Sequence, residues 1–162
     1  EKKKSKKKVT SKNILKEIDT YEPLRVWAEN HFKEKFNKKI KAFDTSKYNV
    51  NYYFSDERIE SNILNLDDMN IKPDIVGIKE NLKDIVIIES KITSLSVEDL
   101  GQILGYCLVA EPTDAFLIST EDLSPSLMTI IINNNSILDY GKGKIEIGKL
   151  TNNKVVLNNY DD

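Results

Sequence analysis

Two acids and a lysine stand out in KPDIVGIKENLKDIVIIESK, residues 72 to 91. Asp74 opens one apolar run, Glu89 closes the next, and Lys91 lies just beyond. Burying a carboxylate is costly unless it is paired or coordinates a metal. If the runs form a hairpin with its turn centred between Asn81 and Leu82, Lys79 faces Asp84, Ile78 faces Ile85, Val76 faces Ile87, and Asp74 faces Glu89. Opposed residues share a sheet face, and Lys91 follows Glu89 onto it by the two-residue alternation. Two carboxylates and an ammonium would then meet at one end of the sheet. Opposed like charges repel, so the arrangement calls for a counter-charge, a divalent cation with Lys91 supplying part of another. A slip of one residue sends the acids to opposite faces. The competing reading is a pair of solvated strand-end acids with Lys91 in a surface ion pair.

The rest of the composition narrows the chemistry. One histidine, His31, and one cysteine, Cys107, exclude a structural zinc site of the usual kind. A bound metal must be held by oxygen, which means magnesium, manganese or calcium. A lone His31, near the apolar face of the first helix, makes no nucleophile–base pair and reads as partly buried. Cys107 falls on a core position, whereas a reactive thiol needs an exposed, electropositive setting. A single cysteine also excludes an internal disulfide framework and fits a reducing, cytoplasmic (intracellular) compartment. Gly141-Lys142-Gly143 reads as a turn, since it lacks the spacing and Ser/Thr of a phosphate-binding loop.

The chain that must position these groups has 162 residues, 40% hydrophobic and 31% charged, which suits one domain with a real core. Its net charge is −2, but residues 1 to 16 carry +7 and the remainder about −9. Residues 1 to 12 read as a basic disordered tail or linker, and 13 to 162 as the domain. The tail offers at most a secondary, non-specific attraction for phosphates. The acidic remainder warns against assuming tight nucleic-acid binding, although bound cations would neutralise part of it. The first residue is Glu1 rather than Met, so a fragment of a longer protein is expected. No apolar run has the length of a membrane span, and no signal peptide is visible.

Residues 13 to 19 read as a short helical lead-in, with Pro23 in the first turn of a helix through LRVWAENHFKEKF. Leu24, Trp27, Ala28, Phe32 and Phe36 gather on its broad apolar face. KIKAF and NVNYYF are strand-like, followed by a loop to about residue 71. DIVGI and DIVIIE flank a polar turn with Asn81 as its left-handed residue. Ser96 to Asp99 forms a capping box opening a helix through Ala110, with Leu100, Ile103, Leu104, Cys107 and Leu108 inward. Glu111-Pro112 ends it. DAFLIS is a buried strand, Ser124-Pro125 starts a short helix, SILDY is another strand, and KIEIGKL-TNN-KVVLN is a hairpin. The expected class is α/β with a mixed sheet.

Pro73-Asp74, fourteen intervening residues and Glu89-Ser90-Lys91 resemble the signature of the PD-(D/E)XK nuclease superfamily. The likeness extends to the helix before the motif, to Gln102 and Tyr106 in LGQILGY after it, and to DAFLIS, covering roughly residues 21 to 120. It implies a restriction-endonuclease-like three-layer core, a central mixed β-sheet flanked by helices. It further implies a magnesium-dependent (or manganese-dependent) nuclease of restriction or repair type, with DNA the expected substrate. Asp74 and Glu89 would hold the metal with the Ser90 backbone carbonyl, and Lys91 would orient water and offset charge on phosphorus. Gln102 would join the catalytic set, and Tyr106 is more a packing residue. Family members often add a glutamate from the first helix, for which Glu29 is the first choice and Glu22 the second. Ser90 departs from the more usual apolar residue, which leaves its carbonyl in place. A homodimer or a domain of a larger protein is the expected assembly, with no membrane partner. The alternatives are a non-catalytic nuclease-like binding or assembly module, and an interaction domain whose carboxylates are incidental.

Overall fold

A computed structural model of the chain describes residues 15–47 and 71–160. The basic tail lies outside the described residues, as do NVNYYF, with Tyr52 and Tyr53, and neighbouring Tyr48. A 3₁₀ turn, Glu17–Thr20, leads into α1 (Tyr21–Phe36), then β1 (Ile40–Asp44), β2 (Ile75–Lys79), β3 (Ile85–Lys91) and α2 (Val97–Ala110). These are followed by β4 (Asp114–Ser119), α3 (Pro125–Asn133), a 3₁₀ turn Asn135–Leu138, β5 (Ile145–Thr151) and β6 (Lys154–Leu157).

The strands form one mixed sheet in the order β1-β2-β3-β4-β5-β6. β1, β2 and β3 pair antiparallel, β3, β4 and β5 pair parallel, and β6 returns antiparallel to β5. The architecture is α/β, with helices on both sheet faces. Leu24, Ala28 and Phe32 of α1 pack with Ile75, Val86, Ile88, Phe116 and Ile118 on one face. Leu100, Ile103 and Cys107 of α2 and Leu127 and Ile131 of α3 pack with Val76, Ile85, Ile87, Leu117 and Ile147 on the other. Strands covered on both faces read as continuous apolar runs. Accordingly, Ile85–Ile88 and Ala115–Ile118 are buried.

Local sequence explains most boundaries. Pro23 is the third residue of α1, still within the turn whose N–H groups lack intrahelical partners. Asn37 ends α1 in the left-handed conformation, φ 50°, its N–H donating to the Lys33 carbonyl. Ser96 and Asp99 exchange side-chain and backbone hydrogen bonds as a capping box. Asn152 and Asn153, both at positive φ, make the two-residue turn of the β5–β6 hairpin.

Several expectations are corrected. SILDY is not a strand: residues 135–138 form a 3₁₀ turn that buries Leu138, and Asp139 makes only an isolated bridge to Lys144. So short a mixture of apolar and polar residues suits a single 3₁₀ turn as well as a strand. Leu82, φ 59°, and not Asn81, is the left-handed residue of the β2–β3 turn. Asn81 instead accepts hydrogen bonds from the N–H groups of Lys83 and Asp84 through its side chain. Leu108 is 67% exposed and Phe36 45%, so both lie outside the cores their helices cover.

Candidate active site

The observed β2–β3 register pairs Ile75 with Ile88, Val76 with Ile87, Gly77 with Val86 and Ile78 with Ile85. This is the register expected from the sequence, and Asp74 and Glu89 continue it at the open end of the hairpin. Two hydrogen bonds close that end reciprocally. The Asp74 N–H donates to Glu89 Oε1 at 3.2 Å, and the Ser90 N–H donates to Asp74 Oδ2 at 2.8 Å. Thr45, just past β1, fixes the backbone from the other side. Its hydroxyl donates to the Pro73 carbonyl at 2.7 Å and its N–H to the Asp74 carbonyl at 2.9 Å.

Both acids are buried, Asp74 to 8% exposure and Glu89 to 2%. Burial first, and the Asp74 charge second, push the Glu89 carboxyl well above the usual carboxylate range, while Lys91 pulls it back. Lys91 is half-buried, two residues along β3 from Glu89 and so on the same face. The Ile85 and Lys91 carbonyls accept from Thr113 and Thr120 on the β4 side. Strand alternation therefore turns the Ser90 carbonyl toward β2, the side of Asp74.

The N-terminus of α1 contributes contacts that sequence reasoning missed. The Tyr21 hydroxyl donates to Asp74 Oδ1 at 2.9 Å and lies 3.3 Å from Glu17 Oε1. Burial, and then these two carboxylates, raise the Tyr21 hydroxyl above the ordinary tyrosine range and hold it protonated. Thr20 and Ser90 share a buried hydroxyl–hydroxyl hydrogen bond. The acid brought toward the site by the start of the first helix is thus Glu17. The sequence signals for these residues are weak, for Thr20 and Tyr21 precede Pro23 like any helix-entry residues.

The two first-helix candidates lie elsewhere. Glu29 Oε1 accepts from Arg25 at 3.0 Å and from the Ala42 N–H at 3.1 Å, tying α1 to β1. Glu22 is exposed and forms an ion pair with Arg25 at 2.8 Å. Gln102 is exposed and donates to the Tyr106 hydroxyl at 3.1 Å, and Tyr106 packs against the α2–α3 core. His31 is half-buried, stacked on Trp27 and edge-on to Phe116, with its pKa lowered by burial. Cys107 is fully buried and its thiol is pushed up to about 12, mainly by burial.

The donor set suits a hard cation. Among the described residues no three or more His, Cys, Asp or Glu side chains form a metal-holding group, so Asp74 and Glu89 stand as a pair. Magnesium is commonly held by one or two carboxylates and keeps several waters. A carboxyl raised first by burial and second by a neighbouring acid is one whose ionised form a divalent charge would stabilise. Were such an ion bound here, Asp74, Glu89 and the Ser90 carbonyl are the groups that would hold it. No helix among the described residues is long and apolar enough to cross a membrane. Comparison with known protein families, with curated proteins and with solved structures finds no match for this chain.

Proposed function

We propose that the chain is a metal-dependent nuclease of the PD-(D/E)XK type, with a restriction-endonuclease-like core, that hydrolyses phosphodiester bonds, DNA being the expected substrate. The observation that carries this reading is the hairpin register, whose next position beyond Ile75–Ile88 falls at Asp74 and Glu89, where the Asp74 N–H donates to Glu89 Oε1, with Lys91 two residues along β3 from Glu89. Asp74, Glu89 and the Ser90 carbonyl would hold magnesium or manganese. Such an ion supplies positive charge against the developing oxyanion and acidifies water. Lys91 offers a compact ammonium beside Glu89 to orient water and offset charge on the phosphate. Tyr21 and the Ser90 N–H each hold one oxygen of Asp74, which fixes the carboxylate's orientation. The deciding experiment incubates the protein with single-stranded, duplex and branched DNA and with RNA, in magnesium, manganese or chelator. Metal-dependent cleavage that Asp74→Asn abolishes supports the reading, and no cleavage of any substrate removes it.

Two observations favour a second reading, a nuclease-like module that binds without cutting. Glu29 is engaged by Arg25 and the Ala42 amide, and Gln102 is exposed and bonded to Tyr106. Metal-induced stabilisation with binding but no cleavage is the outcome that reading expects.

A further inference from the structure

β1 carries basic residues onto the face that bears the acids. Residues 33 to 43, KEKFNKKIKAF, contain five lysines and one acid, Glu34, although the chain as a whole is net −2. Lys33, Lys35, Lys38, Lys39 and Lys41 are all exposed. Lys33 and Lys35 sit in the last turn of α1, where cations complement the helix carbonyls, and that role accounts for them. Lys39 and Lys41 are different. Lys41 pairs across the ladder with Ile78, and Phe43 with Val76. Val76 and Ile78 belong to the core on the α2–α3 side, so Lys41 and Phe43 share the face of Asp74, Glu89 and Lys91. The Lys41 ammonium lies 5.3 Å from the centre of the half-buried Phe43 ring. Lys39 immediately precedes the strand and continues its two-residue alternation.

The two lysines lie within a few nucleotides' length of the acids. Thr45 is bonded to the Asp74 carbonyl, so it marks the level of the acids along β1. At about 3.3 Å per residue, Lys41 lies roughly 13 Å from that level and Lys39 roughly 20 Å. A stacked strand advances about 3.4 Å per nucleotide, so these intervals span about four and about six nucleotides. Lysines also repel unwanted strand pairing at a sheet edge, a role compatible with holding a phosphate backbone.

We propose that Lys39 and Lys41 form a phosphate track, which holds one flank of a nucleic-acid strand while the phosphate to be cut lies at Asp74, Glu89 and Lys91. The track rests on the nuclease reading for its substrate class. Its test measures binding rather than cutting.

The experiment follows fluorescence anisotropy of labelled duplex and single-stranded oligonucleotides in chelator, across a range of salt. It compares wild type, Lys39→Gln/Lys41→Gln and Lys142→Gln/Lys154→Gln. The last pair removes the same charge from exposed positions on the β5 and β6 side of the sheet. Loss of two phosphate contacts lowers the slope of log affinity against log salt by about 2. That decrease is expected for the Lys39/Lys41 pair and not for the control. Trimming the bound strand to fewer than about four nucleotides beyond the cut site should erase the difference. Equal slopes for the two pairs, or wild type that binds no oligonucleotide, overturns the track. A chain that binds through these lysines but cuts nothing keeps the track and removes the nuclease. A chain that cuts with a slope indifferent to them removes the track alone.

Discussion

The Tyr21 hydroxyl reaches across 53 residues of sequence to donate to Asp74 Oδ1 at 2.9 Å. With the Thr20–Ser90 hydroxyl pair, it binds the start of α1 to the two strands that carry the acids. Both contacts are buried, so each is worth more intact than its net hydrogen-bond energy suggests, because its loss strands a desolvated partner.

Tyr21→Phe keeps the ring and removes only the hydroxyl. It should destabilise the metal-free protein by about 1–3 kcal/mol, measured by urea unfolding. It should also weaken magnesium or manganese binding, since groups that orient a metal-binding carboxylate typically contribute about 10–100-fold to affinity. Calorimetric titration within twofold of wild type would show that the hydroxyl does not orient Asp74 for a metal.

Glu89 makes stability depend on pH. Its folded-state pKa is raised, so its contribution is fully present below about 4.3, where the unfolded chain is also protonated. As pH rises above that value the unfolded state releases the proton first, and stability falls until the folded carboxyl itself ionises. Glu89→Gln should flatten this decline and leave the metal-free protein more stable than wild type at neutral pH. Parallel stability–pH curves for the two proteins would contradict the assignment.

Asp74→Asn removes the charge that disfavours ionisation of Glu89 and should leave the fold intact. Magnesium or manganese should raise the melting temperature of wild type, and the mutant's response should be much smaller at matched concentration. Because binding must displace a proton from Glu89, the wild-type response should grow as pH rises. Equal thermal shifts in wild type and mutant would remove the metal site.

Lys91→Ala should slow cleavage by about 10²–10⁴-fold while sparing most metal affinity. Lys91→Arg should rescue poorly, since a planar guanidinium does not replace a compact ammonium at one water. A Lys91→Ala protein that cuts as fast as wild type would place the active centre elsewhere.

The hairpin was legible because two constraints agreed. Its apolar residues mark the strands, and the length of the polar turn sets the pairing, so Asp74 falls opposite Glu89 from the sequence alone. The capping box at Ser96 and the Asn152–Asn153 turn were legible because their signals are local. The contacts of Thr20 and Tyr21 were not, for nothing in the spacing of a helix start says which strand ends it will meet. Glu29 looked like a site residue because helical geometry set it near the buried face, but the geometry could not reveal that Arg25 and the Ala42 amide would take it. At the β2–β3 turn, side-chain chemistry overrode propensity. Asn81 uses its amide oxygen to hold two N–H groups, and the positive φ passes to Leu82.

Cys107, the chain's single thiol, is sealed between α2 and the sheet, and its acidity is further suppressed by the charge of Glu89. It therefore serves as a built-in clock for the opening of α2. A disulfide reagent such as Ellman's can react only when that helix lifts from the strands and the thiolate becomes accessible. The labelling rate in native buffer would report how often the layer beneath the two acids comes apart, without a dye or a tag having to be introduced.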